Sequence, residues 1–194
     1  VSIAKRYQPE ELQRICEMFA LTVDALEENP NQDFLGDLFM RFDLSNSWKG
    51  QFFTPYSLCK AMAKMSAGDL KSQIAEKHWI SANDPACGAG ATLIAFANEC
   101  KDQGVNFQTS ALFVAQDIDR TAALMCYVQL SLLGCPGYVV VGDSICNPAT
   151  GPILFPQCRE GQEIWYTPMF FSDIWICRRQ IEIMRSIFEK GEPT

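Results

Sequence analysis

The chain is poor in what a structural metal site needs. Its only histidine is His78, and its nine cysteines include no Cys-x-x-Cys pair. Zinc sites draw on clustered thiolates and imidazoles, so no metal is expected. Several cysteines fall on apolar helix faces or at strand ends, where Cys acts as a small hydrophobe; reduced core thiols in a cytoplasmic protein are the expectation. Long apolar runs are also missing. No window approaches the roughly 20 uninterrupted apolar residues of a membrane span, and Val1–Arg6 lack the apolar core of a secretion signal. Positive charge is scarce as well: 16 basic against 23 acidic residues give a formal net charge of −7. Phosphate neutralisation dominates nucleic-acid affinity, so DNA would have to be reached through a local basic face or a partner.

What is present suits one globular domain: 194 residues, 48% of them apolar. Residues 8–28 read as an amphipathic helix, with Pro9 in its first turn and Leu12, Ile15, Phe19, Val23 and Leu26 at helical spacing. Asp33 can cap a second helix carrying Phe34, Leu35, Leu38, Phe39 and Phe42. Thr54-Pro55 reads as an N-cap followed by Pro at the first position of a helix running to about Met65. From residue 79 strands and helices alternate. Strands are expected at 79–84, 111–117, 137–142 and 162–167, and helices at 90–103, 120–133 and 172–189, with a Pro/Gly-rich loop at 147–161. This is the pattern of a Rossmann-like, doubly wound, mostly parallel sheet. A helical N-terminal extension, residues 1–48, precedes the sheet domain, 49–194.

The most informative stretch is Asn83-Asp84-Pro85-Ala86-Cys87-Gly88-Ala89-Gly90, a strand end that opens through two glycines into a helix. Open α/β sheets present nucleotide-like ligands there. Asp117 closes the second strand, 27 residues beyond Gly90, where a carboxylate can accept from both ribose hydroxyls; the alternative is a turn or capping role, for which Asp119 is better placed. Ile118 can pack on an adenine face or in the core. Asp143, in Gly142-Asp143-Ser144, can meet an adenine amine or simply turn the chain. A dinucleotide site wants Gly-x-Gly-x-x-Gly around a pyrophosphate, but the third position here is Leu93, and Asp84 would repel phosphate. Beside the ammonium and sulfonium of S-adenosylmethionine that carboxylate is favoured.

Asp84-Pro85-Ala86-Cys87-Gly88-Ala89-Gly90, preceded by Gly50-Gln51-Phe52-Phe53-Thr54-Pro55, resembles the adenine-specific (N6) DNA methyltransferases, particularly the modification subunit of type I restriction systems. The resemblance covers roughly residues 34–145. It implies S-adenosylmethionine as the donor, held by Phe52, Phe53, Thr54, Pro55, Asp84, Ala86, Gly88, Asp117, Ile118 and Asp143. It also implies DNA as the substrate, reached through a specificity partner or a further recognition region, with a homo-oligomer also open. The family's Asn/Asp-Pro-Pro-Tyr/Phe motif, at the end of its fourth strand, holds a flipped adenine. The corresponding place here reads Trp165-Tyr166-Thr167-Pro168-Met169-Phe170. Thr167, Pro168 and Phe170 are therefore the expected base pocket, without the amide, at the end of a fourth strand lying in the order 3-2-1-4. The sheet is then a truncated one. Two readings stand: a DNA adenine methyltransferase or its catalytic fragment, and a degenerate, non-catalytic module that binds the donor or a partner.

Overall fold

The structure, a computed structural model, describes residues 3–42 and 53–190. Helix α1 (Pro9–Glu28) opens with a reciprocal cap between Gln8 and Glu11 and ends at Asn29. Asp33 accepts from the Gly36 N–H and starts α2 (Phe34–Arg41). The boundary expected near residue 48 lies outside the described residues. Helix α3 (Tyr56–Ala67) begins one residue later than the sequence suggests. Pro55 keeps an extended ψ of 134° and becomes the cap position itself, its carbonyl accepting from the Leu58 and Cys59 N–H groups. Helix α4 (Leu70–Lys77) is capped by Asp69.

Strands β1 (Ile80–Asp84), β2 (Ala111–Asp117) and β3 (Gly137–Val141) run parallel. They are joined by α5 (Ala91–Asp102), the four-residue α6 (Phe107–Ser110) and α7 (Arg120–Leu132). Strands β2 and β3 are buried on both faces and, apart from Gln116 and Asp117 at the end of β2, lack charged and amide side chains, as parallel strands usually do. One face packs Phe113, Ala115 and Val139 against Leu93, Ile94, Cys126 and Leu130 of α5 and α7. Cys87, Cys100 and Cys135 fill gaps in that layer. On the other face Leu112, Val114, Tyr138 and Val140 meet Leu154, Phe170 and Trp175. Trp175 belongs to α8 (Asp173–Lys190); it is fully buried and donates to the Gln108 carbonyl at 2.9 Å.

The fold is thus mixed α/β around a small, mostly parallel four-stranded sheet. One expectation is corrected. The sheet order is β1-β2-β3-β4, not 3-2-1-4, and β4 (Glu163–Tyr166) lies antiparallel on the outer edge of β3. A parallel return needs a crossover, usually through a helix. Segment 142–162 carries no helix, only an isolated bridge between Thr150 and Gln157, so the chain folds straight back along β3. Strand β1 is consequently the other edge of the sheet. Among the described residues no helix is long and apolar enough to cross a membrane.

Candidate functional site

Because β1, β2 and β3 are parallel, their carboxyl ends fall on one edge of the sheet. The register sets Asp84 beside Ala115 and Asp117 beside Val141, so Asp84, Asp117 and Asp143 come from three neighbouring strand ends. Adjacent strands lie about 4.8 Å apart, which puts three carboxylates along a single short rim.

The glycine turn is built by hydrogen bonds to this rim. Asp84 Oδ1 accepts from the Ala86 N–H at 3.0 Å, and Oδ2 accepts from the Thr92 hydroxyl at the start of α5. Asp117 Oδ2 accepts from the Gly88 N–H at 2.8 Å, while Oδ1 takes the Asp119 N–H at 2.8 Å. Asp119 caps α7 through the Thr121 and Ala122 N–H groups. Gly88 has φ +53°, and a Cβ there would sit 3.1 Å from the Phe53 ring. Two independent reasons therefore call for glycine. Phe53 in turn stacks on Phe39, with centroids 5.5 Å apart. Thr54 lies beside Asp84 and Ala86 on the wall of a cavity of about 530 Å³ between α3, α5 and the open edge of β1.

Asp143 Oδ1 accepts from the Cys146 and Ile145 N–H groups, at 3.0 and 2.8 Å, and these bonds hold its carboxyl below the usual range. Ile118 is 71% exposed, which removes the core alternative and leaves its side chain open beside Asp117. The structure therefore brings together Phe53, Thr54, Asp84, Ala86 and Gly88 around the turn, with Asp117, Ile118 and Asp143 along the same edge. Pro55 shapes the start of α3 at the end of this segment. Phe52 lies outside the described residues.

The expected base pocket is corrected. The antiparallel direction of β4 pairs Glu163 with Val141 and Tyr166 with Tyr138, so β4 ends at the opposite edge of the sheet. Thr167 is fully buried; its hydroxyl donates to the Cys135 carbonyl at 2.7 Å and accepts from the Gly137 N–H at 3.0 Å. Pro168 opens a short 3-10 turn, and Phe170 packs in the core against Tyr138 and Tyr166. None of the three meets the glycine turn. Thr167→Val should lower stability by about 1–2 kcal/mol, the cost of leaving buried backbone groups unpaired, and leave ligand affinity at the far edge unchanged. Urea unfolding and titration check the two halves.

Three polar residues of the site escaped the sequence reading. Gln116 is 3% exposed and ties β2 to the loop after β3. Its amide donates to the Gly142 and Asn147 carbonyls and its oxygen accepts from the Ala149 N–H. Gln129, fully buried in α7, donates to Asp33 Oδ1 at 2.7 Å and to the Ala89 carbonyl at 2.9 Å. Asp33, read only as a cap, is 3% exposed and lines a small cavity beside the glycine turn. The available signal was a polar side chain, Gln129, on the otherwise apolar face of α7 that carries Ala122, Cys126 and Leu130. Among the described residues no group of three or more His, Cys, Asp or Glu side chains could hold a metal ion.

The rim is acidic, a setting that favours a cationic group over a pyrophosphate. In comparison with known proteins, the family model described as N-6 DNA methylase matches residues 31–179, most of the chain and every part of this edge. No curated protein and no solved structure matches. The chain belongs to the N-6 DNA methylase family.

Proposed function

We propose that the protein is an S-adenosylmethionine-dependent DNA adenine-N6 methyltransferase of the restriction–modification type, or the donor-holding part of one. The observation that carries this reading is the convergence of Asp84, Asp117 and Asp143 with the Gly88 turn on one sheet edge. S-adenosylmethionine supplies, when bound, a methyl group on a sulfonium centre for direct transfer to an amine. Asp84 and Thr54 face its methionine end, Asp117 receives its ribose hydroxyls, Ile118 covers its adenine, and Asp143 accepts from the adenine amine. The cavity of about 530 Å³ beside Asp84 has the size for a nucleobase and opens along β1. With a formal net charge of −7, the protein engages DNA together with a specificity subunit, a second copy or a further recognition region.

A second reading is favoured by one specific observation. The side chains at the end of β4 are spent on core packing, so this chain assembles no base pocket there. It would then hold the donor for a partner that supplies the pocket, or serve as a non-catalytic module. Calorimetric titration with S-adenosylmethionine, followed by transfer of a labelled methyl group to unmethylated DNA, tests both. Heat of binding with labelled DNA supports the enzyme, and binding without label, with natural partners present, supports the module. No binding at all overturns the assignment.

A further inference from the structure

Asp33 does more than cap a helix. Asp69 caps α4 with the same geometry while exposed, accepting from the Ser72 N–H and hydroxyl, and these bonds keep its carboxyl low. Asp33 caps α2 at 3% exposure, where burial pushes its pKa up. Capping therefore gives no reason for the burial. Removing an ionised carboxylate from water is expensive unless a cation or several donors answer it.

Two donors are built in. The Gly36 N–H and the Gln129 amide both reach Oδ1, at 3.0 and 2.7 Å. Gly36 has to be glycine, since a Cβ there would lie 2.0 Å from Asp33 Oδ2. Gln129 is wholly enclosed and also holds the Ala89 carbonyl and the Leu35 N–H, so it fixes Asp33 against the glycine turn. Among the described residues no cation pairs with Asp33; the Arg120–Glu163 ion pair lies between α7 and β4.

Asp33 lines a cavity of about 60 Å³ whose other walls include Phe53, Thr54, Asp84, Gly88 and Thr92. Thr54, Asp84 and Thr92 also line the larger cavity beside β1. A small hole lined by two carboxylates whose side chains are held by hydrogen bonds is suited to a compact positive group. Two carboxylates alone fall short of the six to eight oxygens of a calcium site. A primary ammonium, with three donors to share between them, fits.

We infer that Asp33 and Asp84 form a two-carboxylate clamp for the α-ammonium group of the donor's amino-acid end. This rests on the donor reading above and assigns Asp33 a ligand role that reading did not include. The clamp makes affinity depend on the amino-acid tail: the neutral thioether S-adenosylhomocysteine carries the ammonium, and 5′-methylthioadenosine lacks it.

Titration calorimetry with both compounds, on the parent and on Asp33→Asn, tests the clamp. Asn keeps the cap and the shape but removes the charge. The parent should bind S-adenosylhomocysteine at least tenfold more tightly than 5′-methylthioadenosine. Asp33→Asn should weaken the first by at least tenfold, leave the second unchanged, and melt no lower than the parent without ligand. Equal affinity of the parent for the two compounds overturns the clamp without any variant. So does an equal loss of both in Asp33→Asn, which would make Asp33 a purely structural support of the turn. A heat signal from magnesium or calcium chloride alone, abolished in Asp33→Asn, would assign the hole to a metal instead. If the parent binds neither nucleoside, the donor reading falls and the clamp with it, whereas failure of the clamp alone leaves 5′-methylthioadenosine binding intact.

Discussion

Replacing Gly137 with Ala is expected to cost more than about 4 kcal/mol and to leave little folded protein at 37 °C, since whole domains are stable by only about 5–15 kcal/mol. Gly137 starts β3 directly opposite Phe113. A Cβ added there would lie 1.9 Å from the Phe113 carbonyl oxygen and 2.7 Å from its carbon. These are backbone atoms of a central strand and have no rotamer to adopt, so β2 and β3 must part where their pairing begins. The same movement would break the hold of Thr167 on the Gly137 N–H. Gly161→Ala is the matched control: nothing lies within 4 Å of its Cβ, and the cost is confined to its φ of +80°, about 1–2 kcal/mol. Urea unfolding of the two variants measures the difference. A Gly137→Ala protein within about 1 kcal/mol of the parent would show that β2 and β3 do not pair in this register.

The elements that carry the site were the legible ones. Strands β2 and β3 follow from the apolar runs Ala111–Ala115 and Tyr138–Val141, and β1, which carries Ser81 and Asn83, from its place before the glycine turn that opens α5. Short-range chemistry dominates there, in the two glycines and the acids that close the strands. The neighbour and direction of β4 were not legible from its own residues, because four residues such as Glu163–Tyr166 pair equally well on either edge. The signal lies outside the strand, in the lack of a helical period between residues 142 and 162 that could carry a crossover. Thr167 and Phe170 would reach the edge of the glycine turn only through such a crossover, and the antiparallel β4 carries them to the other edge. Asp33 illustrates a second limit. Its cap role needs only Gly36, three residues on, whereas its burial comes from Gln129, 96 residues away. Local pattern identifies the first partner and is silent on the second.

Asp117→Ala is expected to weaken S-adenosylmethionine binding by about 1.5–3 kcal/mol, roughly 10- to 150-fold, the range for hydrogen bonds to a charged group. The carboxylate already accepts the Gly88 and Asp119 N–H groups, at 2.8 Å each. A carboxylate has about four acceptor positions, so two remain for ribose hydroxyls. The loss therefore has two sources: the ribose acceptor disappears, and the glycine turn loses the bond that fixes Gly88. Asp117→Asn separates them, since its amide oxygen can keep the Gly88 bond while the charge is gone; it should fall between the parent and Asp117→Ala. The ligand series gives a sharper criterion. Asp117→Ala removes contacts to the nucleoside, so it must weaken 5′-methylthioadenosine and S-adenosylhomocysteine alike, whereas Asp33→Asn must spare the former. A loss shared by both compounds in Asp117→Ala and confined to S-adenosylhomocysteine in Asp33→Asn would place the nucleoside on Asp117 and the amino-acid tail on Asp33. Unchanged affinity of Asp117→Ala for both compounds, in a protein that still melts cooperatively, would remove Asp117 from the ribose site and turn the acidic rim into a purely structural feature of the turn.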